Sequence, residues 1–183
     1  MIEVEIKLQV ENKEKIEHDL QKLGFIPGYL VKESDIYFNS DTNDLRKRDM
    51  ALRVRCCENL TTGETEAVMT FKGPKLDQVS MTRKELETEI SNPLVCQEIL
   101  QLLGYVLIYP VRKFRQYYHL ENVTACVDQV EKLGDFLELE IIAEEEKERE
   151  NALLQIEEIL ETLGYRIEDT IRTSYLSMLQ KVI

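Results

Sequence analysis

Ile2, Val4, Ile6, Leu8 and Val10 lie on one side of an extended chain, with Glu3, Glu5, Lys7 and Gln9 on the other. The apolar set is mostly β-branched and nothing interrupts it, so 2–10 is predicted as a strand. The same period of two marks 33–39, 50–58, 65–73, 83–90, 112–120, 123–130 and 136–143. Helical spacing takes over elsewhere. Over 12–23, Ile16, Leu20 and Leu23 form one stripe that stops at Gly24. The stretch 93–103 begins with Asn92 as N-cap and Pro93 in the first turn, and stops at Gly104. A third stretch, 147–163, carries Leu153, Ile156, Leu160 and Leu163 up to Gly164, and the amphipathic 172–181 makes a fourth. The helix endings QKLGF, QLLGY and ETLGY look alike, but the sequence between them repeats at no fixed period. No linker or shift of composition divides the chain, so one domain spanning 1–183 is expected.

The polar faces of these strands are more unusual than the apolar ones. Arg53 and Arg55 share a face, as do Lys113 and Arg115, and Lys72 lies on the face of Thr70. Arg83, Glu85, Glu87 and Glu89 share another, Glu138 and Glu140 a further one, and Asp128 sits between these last strands. Charged residues dominate, and they sort by sign from strand to strand. One reading is the solvated side of an antiparallel sheet. The other is the lumen of a closed barrel, which so many strands in a short chain suggest.

Composition narrows the partners. The 183 residues are 43% hydrophobic and 32% charged, as in a globular protein, with a net charge of −12 that argues against general binding to nucleic acid or an anionic membrane. No run reaches the ~18 apolar residues of a membrane span, and the strand pattern starts at residue 2, so no leader and a cytoplasmic location are expected. Cys56, Cys57, Cys96 and Cys126 form no C-x-x-C pair and read as reduced thiols. His18 and His119 have no ligand partner at helical spacing. The acidic run 144–150 suits the solvated start of a helix.

If the charged faces look inward, their chemistry is specific. Crowded carboxylates repel unless a hard cation sits among them, and Mg²⁺ or Mn²⁺ takes oxygen ligands. Arg and Lys beside that cation would hold phosphate oxygens. The combination describes a polyphosphate site.

The same residues carry a resemblance. Glu3-Val4-Glu5-Ile6-Lys7 is similar to the N-terminal E-x-E-x-K signature of the CYTH family, the triphosphate tunnel metalloenzymes. In family order follow Asp35-Ile36-Tyr37-Phe38, Leu52-Arg53-Val54-Arg55, Thr70-Phe71-Lys72-Gly73-Pro74, Arg83 with Glu85 and Glu87, and Lys113-x-Arg115. Asp128 with Val130, Leu133-Gly134 and Phe136, Glu138-x-Glu140 and Ser174-Tyr175-Leu176 complete it. The resemblance implies an α+β fold, an eight-stranded antiparallel β-barrel tunnel with inward charges and flanking helices. It implies triphosphate binding by Lys7, Arg53, Arg55, Lys72, Lys113 and Arg115, with Arg83 near the mouth. It implies one or two divalent ions, Mg²⁺ or Mn²⁺, on Glu3, Glu5, Asp128, Glu138 and Glu140. Glu85 and Glu87 form a supporting acidic strand that holds metal or orients the basic residues.

The family divides by reaction. TFKGP, the R-x-E-x-E strand and KLGDFLELE resemble the bacterial class IV adenylyl cyclase branch, which makes cyclic AMP and pyrophosphate from ATP. The alternatives are a triphosphatase acting on inorganic, thiamine or nucleoside triphosphate, and a non-catalytic binding module for polyphosphate or nucleotide. The expected base is a metal-bound hydroxide or a lysine of lowered pKa such as Lys113, the candidate catalytic residue. Exposed helices on such a barrel leave a homodimer open.

Overall fold

The computed structural model describes residues 2–76 and 80–182. The strands are β1 (Ile2–Val10), β2 (Ile26–Asn39), β3 (Ala51–Asn59), β4 (Thr65–Lys75), β5 (Arg83–Glu89), β6 (Val106–Leu107), β7 (Val111–Leu120), β8 (Val123–Val130) and β9 (Gly134–Ala143). Among them lie the helices α1 (Lys13–Lys22), α2 (Pro93–Leu102), α3 (Arg149–Thr162) and α4 (Tyr175–Val182). The sheet order is β3-β4-β5-β1-β9-β8-β7-β2-β6, and β2 also pairs with β3. That last pairing closes an eight-stranded antiparallel barrel, with the two-residue β6 attached outside the ring.

Alternation explains the layering. The odd residues of β1 face the lumen, while Val4, Ile6, Leu8 and Val10 join α1 and α3 in the largest apolar cluster. Ile16 and Leu20 from α1, and Ile156 and Leu160 from α3, fill it from outside. α1 is capped by the Asn12 side chain, which accepts from the Lys15 amide at 2.8 Å. α2 covers β3 through Leu100, against Phe38 and Val54. α4 closes one end of the barrel, where Tyr175, Leu176 and Leu179 meet Val111, Val130 and Phe136. Burial of these apolar surfaces holds the helices to the barrel wall.

The expected strands and helices are all present, with three differences. β2 begins at Ile26, well before residue 33, because its first half carries Pro27 and Gly28 and its register with β7 shifts between Pro27 and Leu30. That irregularity hides the period of two. β6 is too short to leave a pattern. α4 starts at Tyr175, and residues 172–174 run along the cavity wall ahead of it.

Candidate functional site

The barrel encloses a cavity of about 1230 Å³. Lys7 and Lys113 lie 4.4 and 5.3 Å from the Tyr175 ring of α4, and Tyr37 packs against the same apolar cluster. The charged faces therefore look inward. Of the residues expected in the site, Glu3, Glu5, Lys7, Arg53, Arg55, Lys72, Arg83, Glu85, Glu87, Lys113, Arg115, Glu138 and Glu140 all line this cavity. Asp128 does not. It lies on the inward face of β8, fully buried beneath lumen side chains, where it accepts from Lys113 Nζ at 2.8 Å, from Arg115 Nε and Nη2 at 2.6 and 2.7 Å, and from the Tyr175 hydroxyl at 3.0 Å.

Strand register dictates these pairings. Arg115 stands opposite Asp128 on β8, Lys113 opposite Glu33 on β2, and Asp35 opposite Arg55 on β3. Arg55 donates to both Asp35 oxygens at 2.7 and 2.8 Å and to Glu33 at 3.0 Å. Arg115 also reaches Glu138, and Glu140 at 3.5 Å. Arg53 lies 3.4 Å from Asp35, donates to Thr70 at 3.1 Å and sits 3.6 Å from Glu87. Lys72 lies 2.5 Å from Glu85 and 3.7 Å from Glu3. Arg83 donates to the carbonyl oxygen of Gly73 at 3.1 Å, near the loop that carries Asp49.

Glu33 and Asp35 are charged site residues that sequence reasoning left out. They sit at 1% and 2% exposure on the inward face of β2. Their spacing within 33–39 already showed that face, and Asp35 opens the run Asp35-Ile36-Tyr37-Phe38. Tyr117, whose hydroxyl lies 3.3 Å from Glu33, and Tyr175, whose ring lies 4.4 Å from Lys7 Nζ, complete the wall.

The electrostatics divide the acids in two. Burial opposes ionisation of Glu33, but Arg55 and then Lys113 outweigh it and hold the carboxyl at about 2. Burial likewise opposes Asp35 and Glu138, yet Arg55 and Arg53 hold Asp35 far below the carboxylate range, and Arg115 and Lys113 do the same for Glu138. Glu5 goes the other way, raised by burial and then by Glu138, and Glu140 is raised by burial and then by Glu3. Burial pushes Glu85 up to about 8 against the pull of Lys72, with Glu3 beside it adding to the rise. Glu5 and Glu140 face each other directly across β1 and β9. These are carboxylates without enough positive charge.

Lys113 does not have the lowered pKa expected of a base. Burial and Arg115 would lower it, but Asp128 at 2.8 Å and Glu33 at 3.4 Å outweigh both and hold it as an ammonium. Lys7 is the lysine that is lowered, by burial, with Glu138 opposing at 3.9 Å.

Among the described residues, no three His, Cys, Asp or Glu side chains converge in a ready-made metal site. Glu3 and Glu138 are turned toward Lys72 and Arg115 instead. The donor chemistry nonetheless fits a hard cation: the under-neutralised carboxylates Glu5 and Glu140 adjoin one another, with Glu3 and Glu138 alongside on the same two strands.

The comparisons with known proteins agree with this geometry. A curated protein of Methanocaldococcus jannaschii, named a "putative adenylate cyclase", is 39% identical over 180 residues, covering 97% of this chain and 98% of its own. The solved structure of a Pyrococcus horikoshii protein superimposes with a TM-score of 0.90 at 34% identity, covering 99% of both chains. A solved Hippeastrum protein, described as a "putative adenylyl cyclase" that reveals a dominant triphosphatase activity, shares the fold at a TM-score of 0.69 and 19% identity, covering 99% of this chain and 95% of its own. Residues 1–175 match the CYTH domain, and the chain belongs to the CYTH family.

Proposed function

We propose that this protein is a divalent-metal-dependent enzyme acting on a triphosphate, and specifically a class IV adenylyl cyclase that converts ATP to cyclic AMP and pyrophosphate. The observation that carries the reading is the sorted lumen. Within one closed barrel, under-neutralised carboxylates on β1, β5 and β9 face basic side chains on β3, β4 and β7. A triphosphate needs both halves.

In this reading Glu3, Glu5, Glu138 and Glu140 hold Mg²⁺ or Mn²⁺, which when bound neutralises phosphate charge and orients the chain of phosphates. Asp128, buried beneath them on the inward face of β8, acts by fixing Lys113 and Arg115. Lys7, Arg53, Lys72 and Lys113 neutralise the phosphate oxygens as charge develops, with Arg83 at the rim. Arg55 and Arg115, each locked by carboxylates, present fixed donors and need no rearrangement at the moment of reaction. Glu87, which accepts from Thr70 and faces Arg53, orients the arginine. Lys113, held protonated, serves as a phosphate clamp; the proton leaving the 3′-hydroxyl goes to another acceptor.

The cyclase reading rests on the resemblance of TFKGP and KLGDFLELE and on the name of the 39% identical relative. The second reading is a triphosphatase. It is favoured by the Hippeastrum protein, in which the same fold carries that activity. Both reactions draw on the same charge set, so the products decide. Purified protein with Mg²⁺ or Mn²⁺ is offered ATP and inorganic triphosphate separately, and the products are separated by chromatography. Cyclic AMP that disappears in Glu138→Gln and on chelation supports the cyclase. Orthophosphate without cyclic AMP moves the assignment to triphosphatase, and inactivity on both substrates refutes the cyclase and a triphosphatase acting on ATP or inorganic triphosphate.

A further inference from the structure

We propose that Arg46, on the connection between β2 and β3, is a further substrate-binding residue that meets the phosphate oxygens of the triphosphate at the mouth of the cavity. The inference rests on the triphosphate reading of the lumen. The connection contributes Asp44, Arg46, Lys47 and Asp49 to the cavity lining. Arg46, Lys47 and Asp49 are also exposed, so they mark where the cavity meets solvent. Arg46, Lys47 and Arg48 are three consecutive cations in a chain of net charge −12. A polyphosphate is repelled by most of such a surface and needs local positive charge where it enters.

The turn that carries Arg46 is fixed on both sides. The Asn39 side-chain oxygen accepts from the Leu45 amide at 2.8 Å, and its nitrogen donates to Asp44 at 3.1 Å. Leu45 is buried, and its carbonyl oxygen accepts from the Arg48 and Met50 amides at 3.1 and 2.8 Å. Asp49 ends the turn at a φ of 51°, in the left-handed region that residues other than glycine seldom adopt. Its carboxylate ties the turn to β4, accepting from the Lys75 amide at 2.9 Å and from Lys75 Nζ at 2.6 Å. Little backbone freedom is left to lose when a ligand binds here.

Charge singles out Arg46 within this rim. Lys47 lies 3.2 Å from Asp44, Lys75 lies 2.6 Å from Asp49, and Arg83 lies 3.9 Å from the same carboxylate. Arg172 donates to the Ser80 carbonyl oxygen at 3.1 Å. The deeper cations are held by carboxylates such as Asp35, Glu85 and Asp128. Arg46 also lines the cavity, yet among the described residues its side chain makes no ion pair and no hydrogen bond. Its fork of donors matches phosphate oxygens, and binding them breaks no existing pair. An arginine on open surface would carry no such meaning; this one borders a cavity already lined by cations.

The test is calorimetric titration of the full chain, with Mg²⁺, by bis(methylene)triphosphate, whose CH₂ bridges can be neither cyclised nor hydrolysed. Arg46→Ala is expected to weaken binding by ~10-fold, the scale of one charge-assisted contact. The gap should narrow as salt is raised, because the contact is exposed. Arg46→Lys, which keeps the charge and loses the fork, should fall between the two. Arg48→Ala is the control: Arg48 sits on the same turn, donates to Asn43 at 2.9 Å and is not part of the cavity lining, so its loss should leave affinity unchanged. Because Arg46 engages no other side chain, Arg46→Ala should melt with the wild type. A melting point well below it, or equal weakening in Arg46→Ala and Arg48→Ala, would assign the effect to the turn and overturn the proposal. Wild-type affinity in Arg46→Ala overturns this inference alone. A wild type that does not bind the probe overturns the triphosphate reading and this inference together.

Discussion

Asp128 and Arg115 face each other across β8 and β7, two carboxylate oxygens against two guanidinium nitrogens at 2.6 and 2.7 Å. The carboxylate is completely shielded from solvent and also receives Lys113 and Tyr175. One buried acid thus fixes two inward cations and the helix that closes the barrel. Replacing it as Asp128→Asn leaves Arg115 and Lys113 with less counter-charge in a low-dielectric wall. Loss of one partner of such a pair costs about 3–5 kcal/mol. Urea unfolding is expected to show a loss of that size, and a change below ~1 kcal/mol would mean that solvent screens the pair.

Glu140 predicts the opposite sign. Burial and Glu3 raise its pKa, and Glu5 lies directly across from it. Glu140→Gln removes that repulsion, while Arg115 keeps Asp128 and Glu138. The metal-free variant is expected to melt at a higher temperature than wild type at pH 8. Its metal-dependent activity should nonetheless fall by ~100-fold or more, the scale on which even outer partners of a metal act. A variant that is both less stable and fully active would contradict the assignment of Glu140 to the cation.

The same division of acids fixes the pH dependence of stability. Glu33, held at about 2, and the depressed Asp35 and Glu138 contribute stability above their ordinary carboxylate values, and it is lost as pH falls through their folded values. Glu85, raised to about 8, and the raised Glu5 and Glu140 do the reverse: their contribution is full below the ordinary value of 4.5 and is lost as pH rises toward 8. The metal-free protein is expected to be most stable near about pH 5 and to weaken on both sides. Mg²⁺ or Mn²⁺ should restore the alkaline side and leave the acid side unchanged. Differential scanning calorimetry with and without metal measures this directly, and an equal metal effect at pH 5 and pH 8 would count against a cation among these carboxylates.

Much of this architecture was readable from alternation alone. The polar sets Glu3-Glu5-Lys7, Arg53-Arg55 and Glu138-Glu140 fall where the closed sheet puts them, because a strand has a single period and pairing carries it intact from neighbour to neighbour. What alternation could not supply was the direction of those faces, since a solvated sheet writes the same pattern; the resemblance supplied it. Glu33 lies within the readable strand 33–39, but its partners Lys113 and Arg55 come from β7 and β3, so its place in the charge network exists only in the folded barrel. The state of Lys113 was missed for the same reason. Its two acids come from β8 and β2, and whether crowding by Arg115 or pairing with Asp128 and Glu33 prevails depends on distances that exist only in the folded barrel.

Tyr175 offers a way to separate closure of the barrel from charge within it. Its hydroxyl donates to Asp128 at 3.0 Å, its ring lies 4.4 Å from Lys7 Nζ, and its edge meets Phe136 at 5.0 Å between centroids. Tyr175→Phe keeps the ring over the lysine and the contact with Phe136 while removing one hydrogen bond, worth about 1 kcal/mol. Stability should drop by about that much, with activity within a few-fold of wild type. Tyr175→Ala removes the ring as well, opens a cavity under α4 and frees Lys7 from the aromatic face; the expected loss is about 3–5 kcal/mol. Substrate binding should weaken with it, because Tyr175 and the residues before it wall the end of the cavity where Lys7 and Lys113 lie. Equal behaviour of the two variants would place the effect in the hydroxyl, and full substrate affinity in a folded Tyr175→Ala would show that α4 plays no part in forming the site.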